Sequence, residues 1–97
     1  MKQGESKLSS QILRALRADG VFAFKVHGGA MMMAGLPDII ACVDGEFVGL
    51  ETKMPDKREN VSPRQQYVHQ KIVESGGKVF VVTSVREALA AVAQVRA

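Results

Sequence analysis

Three residues of this 97-residue chain, Asp38, Glu51 and Lys53, are of types that do chemistry, and they sit where apolar side chains would serve stability better. They fall within PDIIACVDGEFVGLETK, residues 37–53, two apolar runs around an Asp-Gly pair. Asp44-Gly45 between such runs signals a β-hairpin with a two-residue turn. With that turn Val43 pairs with Glu46. The same register sets Asp38 across from Glu51, with Cβ atoms ~4.5–5.5 Å apart on one face of the sheet. Lys53 points to that face and Thr52 away from it. A three-residue turn would shift the register and separate the acids.

Two like charges opposed in a sheet repel, and burial makes the repulsion worse. Either one acid stays protonated or a cation sits between them. Carboxylates converging without His or Cys make a hard, oxygen-only site that suits Mg²⁺, with Mn²⁺ as a substitute. The Thr52 carbonyl offers a further oxygen. Lys53 beside such a metal would hold or activate a water and counter the charge of a phosphate. The bland alternative makes Asp38 a solvated strand start and pairs Glu51 with Lys53 at a sheet edge. Against it, the hairpin is apolar on both faces, with Ile39, Val43, Val48 and Leu50 on one and Ile40, Cys42 and Phe47 on the other. That pattern predicts a central hairpin, with Cys42 a small buried side chain.

The elements that must position these residues are legible from pattern. Leu8, Ile12 and Leu16 recur at helical spacing and predict a helix from Glu5 to about Asp19, stopped by Gly20. Glu5 lies on that apolar stripe, where a first-turn acid meets water and favours the helix dipole. Val21–Val26 reads as a strand. HGGAMMMAGLP, residues 27–37, reads as a loop, long enough to suggest function. Strands 38–43 and 46–53 follow, then a polar loop over 54–61. Ser62-Pro63-Arg64-Gln65 opens a helix with a capping box, and Gly76-Gly77 stops it. Val79–Thr83 is a short apolar strand, and Ser84 caps a last helix. The order α-β-β-β-α-β-α predicts an α/β fold with a mixed central sheet flanked by helices.

The totals set bounds. The length fits a single domain over 1–97. Thirteen Lys and Arg against ten Asp and Glu leave a net charge of +3, which permits a polyanionic partner without demanding one. One cysteine excludes an intrachain disulfide, and the polar N-terminus MKQGESKLSS lacks the apolar stretch of a signal peptide. No apolar run approaches the ~18 residues of a membrane span. A cytoplasmic protein is expected.

Pro37-Asp38, a spacer and Glu51-Thr52-Lys53 resemble the PD-(D/E)xK nuclease signature. Together with Glu5 on a leading helix, GLPDII before the hairpin, SPRQ opening the next helix and GGKVFVV as the last strand, the chain resembles the VRR-NUC branch of that superfamily. The likeness spans nearly the whole chain, as in a nuclease domain standing alone. It implies the restriction-endonuclease-like core, metal held by Glu5, Asp38, Glu51 and the Thr52 carbonyl, and Lys53 as the catalytic lysine. Gln65 matches the glutamine after the E-x-K strand, a role that its capping box does not exclude.

The resemblance implies a Mg²⁺-dependent, structure-specific DNA endonuclease. Stand-alone members are associated with four-way (Holliday) junctions, which call for a homodimer, its surface supplied by the last helix or the methionine loop. A flap- or nick-directed nuclease and a non-catalytic nucleic-acid-binding module are the alternatives. Lys57, Arg58 and Arg64 stand ready as phosphate contacts or as a solvated charged loop. Gly28 and Gly29 either let the backbone approach DNA or make a turn. Met31, Met32 and Met33 are wedges, subunit contacts or adaptable apolar filling. His27 and His69 read as ordinary histidines, although His69 lies four residues after Gln65 on one helix face and so borders the proposed site.

Overall fold

A computed structural model describes residues 3–97. Its element order is α1 (Gln3–Ala18), β1 (Phe22–Lys25), β2 (Ile39–Val43), β3 (Glu46–Thr52), a short 3-10 turn (Pro55–Lys57), α2 (Pro63–Glu74), β4 (Lys78–Val82) and α3 (Val85–Arg96). The predicted order of helices and strands holds throughout.

The hairpin turn fixes the sheet. Asp44 and Gly45 both take positive φ, 51° and 81°, the pair of values that a type I′ turn requires. Val43 therefore pairs with Glu46 and Ile39 with Leu50, the register expected from sequence. The strands lie in the order β1-β2-β3-β4, so the hairpin is central by position. β1 and β2 are antiparallel, and β4 joins β3 in parallel after the α2 crossover.

Side-chain alternation divides the sheet into two unlike faces. Ile39, Ala41, Val43, Val48, Leu50 and Val82 point into the core with Ile12 and Leu16 of α1 and Ala88, Ala91 and Val92 of α3. The apolar stripe of α3 is thus spent inside the molecule. The other face carries Glu51, and only α2 lies over it. Twelve residues of helix cover the β3–β4 side and leave the β1–β2 side open. Cys42 is exposed there, and Phe22, Phe24 and Phe47 are 71%, 44% and 46% exposed. The expectation of a buried Cys42 is corrected. Alternation marks two apolar faces, but a single short helix cannot roof both halves of one.

Ser62 caps α2 with its side chain accepting from the Gln65 amide, and the Gln65 side chain returns to the Ser62 amide, the full capping box. Ser84 caps α3 in the same way through the Glu87 amide. Among the described residues, no helix is long and apolar enough to cross a membrane.

Candidate active site at the end of the hairpin

Asp38 directly precedes β2 and is held from both sides of its backbone. Its carbonyl accepts from the Val26 amide at 2.8 Å, extending the β1–β2 pairing by one step. Before it, Pro37 lies against Gly49, so tightly that a Cβ on Gly49 would stand 2.6 Å from the proline ring. Gly35, at φ 88°, sits against the Arg64 carbonyl of α2, where a Cβ would come within 2.8 Å. Two glycines therefore seat the Gly35-Leu36-Pro37 turn against β3 and α2 and aim Asp38. Its Oδ2 accepts from the Thr52 amide at 2.7 Å.

Glu51 closes β3 on the same face and is only 1% exposed. Burial, then the charge of Asp38, then a hydrogen bond with Asp38 push its pKa up to about 9, with Glu5 adding to the rise and Lys53 opposing it. The acids that the turn opposes thus bear on each other's charge, and the protonation that relieves such a pair falls on Glu51. Lys53 is buried beside them at 9% exposure. Its amide donates to the Val82 carbonyl at 3.0 Å, carrying the parallel pairing one residue past β3 and fixing the lysine's direction.

Helix α2 completes the site. Gln65 donates from Nε2 to Glu51 Oε2 at 3.1 Å, while its Oε1 accepts from the Ser62 amide at 2.9 Å and from Lys53 Nζ at 3.4 Å. One side chain caps the helix and joins the acid to the lysine. His69, one turn further on, places Nε2 3.2 Å from Glu51 Oε1. Burial and then the charge of Lys53 lower its pKa, so near pH 7 the imidazole is neutral and the contact is a hydrogen bond. Sequence reasoning placed His69 at the border, and the four-residue spacing from Gln65 was the available signal.

The other expected residues lie as follows. The first turn of α1 packs beside the end of β3, with Gly4 against the Met54 side chain, and Glu5 there is half-buried and close enough to act on Glu51 by charge. Among the described residues, no group of three or more His, Cys, Asp or Glu stands around a common metal position. Asp38 and Glu51 by themselves suit a dication: they offer hard oxygens, and a 2+ charge between them offsets both the burial and the repulsion that keep Glu51 protonated. Thr52 lends its amide to Asp38, while its hydroxyl, buried on the opposite face, has no hydrogen-bond partner. Arg58 reaches over to α3 and pairs with Glu87 and the Thr83 hydroxyl. Arg64 donates to the Ala34 carbonyl at 3.3 Å and stacks on Tyr67. Lys57 is half-buried in the 3-10 turn, and Gly28 and Gly29 are exposed in the loop after β1.

No protein-family model matches the sequence, and no curated protein matches it significantly. Among solved structures, one described as a VRR_NUC domain superposes with a TM-score of 0.66 over 90% of this chain and 91% of that one, at 24% identity. The chain has the fold of a VRR_NUC domain, in agreement with the resemblance carried by its motifs.

Proposed function

We propose that the protein is a metal-dependent nuclease that hydrolyses phosphodiester bonds in DNA. The observation that carries this reading is the pairing of Asp38 with the buried Glu51, whose charges act on each other, beside the buried Lys53 at the end of the hairpin of a VRR_NUC-like fold, with Asp38 held by the Thr52 amide and Glu51 and Lys53 held by Gln65 of α2. Such a concentration of polar groups works against stability and is the mark of a site kept for chemistry.

Asp38 and Glu51 would hold Mg²⁺, with Mn²⁺ able to replace it and with Glu5 and the Thr52 carbonyl as further donors. The ion would supply positive charge and Lewis acidity beside the scissile phosphate. Lys53 supplies a second positive charge from a buried position, where it stabilises charge developing on the phosphate or orients the attacking water. Gln65 holds Lys53 and Glu51 in mutual register, and His69 holds the second oxygen of Glu51. The Arg and Gln side chains of α2 are taken up by contacts within the chain, to Ala34, Glu51, Val61 and Glu74, which favours choice by shape over a reading of base sequence. The substrate is then chosen by shape, with branched DNA such as four-way junctions as the first candidate. Cutting both strands of a junction calls for two sites and hence a homodimer.

The test is cleavage of synthetic four-way junctions, flaps and plain duplex with and without Mg²⁺. The proposal expects metal-dependent cutting, lost in Asp38→Ala, Glu51→Ala and Lys53→Ala while DNA binding persists. Cutting of flaps but not junctions would move the substrate to the flap-directed alternative. Binding without cutting in any divalent metal would make the chain a nucleic-acid-binding module. Light scattering with and without junction DNA tests the homodimer, and a strict monomer argues against junction resolution.

A further inference from the structure

A cleft of about 370 Å³ opens directly beside Asp38, between the end of β1 and the loop over residues 27–37. Its walls are Val26, the backbone of Gly28 and Gly29, Met32, Met33 and Leu36. Among the described residues, Asp38 is the only charged one that lines it. A phosphate has no cation to meet there, so the cleft does not continue the backbone track. It suits an uncharged group of modest size that enters beside a phosphate held at the acids.

Two glycines in the wall have no structural reason to be glycine. Neither Gly28 nor Gly29 takes a positive φ, and a Cβ on either would meet nothing within 4 Å. The opposite wall differs, because Gly35 is required both by its φ of 88° and by the Arg64 backbone. The loop is thus fixed at Gly35, while a side chain at position 28 or 29, both in the cleft wall, would meet open space. Met32 and Met33, 46% and 59% exposed, add polarizable thioethers that conform to a flat apolar partner.

We infer that this cleft receives an unpaired nucleobase flanking the phosphate held at Asp38 and Glu51, so that the protein acts where a base can leave the stack. The inference rests on the nuclease reading of that site. A base in intact duplex is out of reach of such a cleft, and extruding one costs least where pairing is already broken, as at a branch or a single-stranded flank. Selection by shape then has a physical basis: the cleft rewards substrates whose base is already free.

The experiment uses the non-cutting Asp38→Asn protein and branched DNA with 2-aminopurine as an unpaired base at the branch. Fluorescence of the probe rises on binding if the base leaves its neighbours and enters the cleft. Gly28→Val and Gly29→Val, made in that background, are expected to keep the parent melting temperature and abolish the rise. They should weaken binding of the branched strand by about ten- to a hundredfold, the range for losing one apolar contact in a pocket, with affinity for plain duplex unchanged. In the active protein, an abasic nucleotide at the probe position should slow cutting, and Gly29→Val should be indifferent to it. Unchanged fluorescence and cutting in folded Gly29→Val overturn the cleft assignment alone, as does cutting insensitive to the abasic nucleotide, which alters no protein residue. Binding with the expected fluorescence but no cutting by the active protein overturns the nuclease reading and leaves the cleft standing. Failure to bind any DNA overturns both.

Discussion

Replacing Glu51 by Gln separates the stability cost of this site from its use. The carboxyl is buried and its pKa is pushed from 4.5 to about 9, mainly by burial and by Asp38. In the unfolded chain it ionises near 4.5. The folded state is therefore favoured most while both forms are protonated, and that advantage drains away between pH 4.5 and about 9. At pH 7, about 2.5 pH units above the unfolded-chain value and at about 1.4 kcal/mol per unit, the loss comes to about 3–4 kcal/mol. Relaxation of the site makes that an upper limit. Gln keeps the shape and the contacts to Gln65 and His69, does not ionise, and can donate to Asp38. In EDTA, urea unfolding at pH 5, 7 and 8.5 should show Glu51→Gln hardly more stable than the native protein at pH 5 and increasingly so above it. The lowered pKa of His69 acts in the opposite direction, costing stability as pH falls below 6.5, so the comparison at pH 7 and 8.5, where the imidazole is neutral in both proteins, carries the test. Cutting should vanish in the variant. A stability gap that is constant from pH 5 to 8.5, or a variant less stable at every pH, would refute the buried, proton-retaining acid.

The remaining predictions use neighbouring residues. Ser62→Ala and Gln65→Ala each remove half of one capping box and should each cost about 1 kcal/mol in denaturant unfolding, yet only Gln65→Ala should abolish cutting. Thr52→Val replaces an unpartnered buried hydroxyl by a methyl of similar shape. It should raise stability by about 1 kcal/mol in the same assay and leave cutting intact, since only the Thr52 backbone faces the acids; loss of activity would implicate the side chain. Gly49→Ala forces a Cβ onto Pro37 and should cost about 1–3 kcal/mol. Because Pro37 aims Asp38, the rate measured under conditions where the variant stays folded should fall as well.

Much of this arrangement can be read from the chain because its determinants are local. Asp44-Gly45 admits few turn types, and the register that opposes Asp38 and Glu51 follows from it. The box at Ser62 and Gln65 locates the start of α2 to the residue. What escapes the sequence depends on where helices land on the sheet. Alternation showed two apolar faces without showing that α2 covers only part of one, so Cys42 and Phe47 are exposed. Glu5 stands on the predicted helix, but its distance from the acids is set by the docking of α1, which no spacing encodes. The seat of Pro37 on Gly49 joins residues twelve apart across two strands, a steric relation invisible until the hairpin is built.

Gln65 links the start of a helix to a carboxylate and an ammonium through one amide group. Opening of the first turn of α2 must therefore release Lys53 and Glu51 together, and assembly of the site is one cooperative event with that turn. The Ser62 amide, whose proton is held by the same Gln65 oxygen, becomes a reporter of site integrity. Its hydrogen exchange measures how often the whole constellation comes apart, with no substrate present.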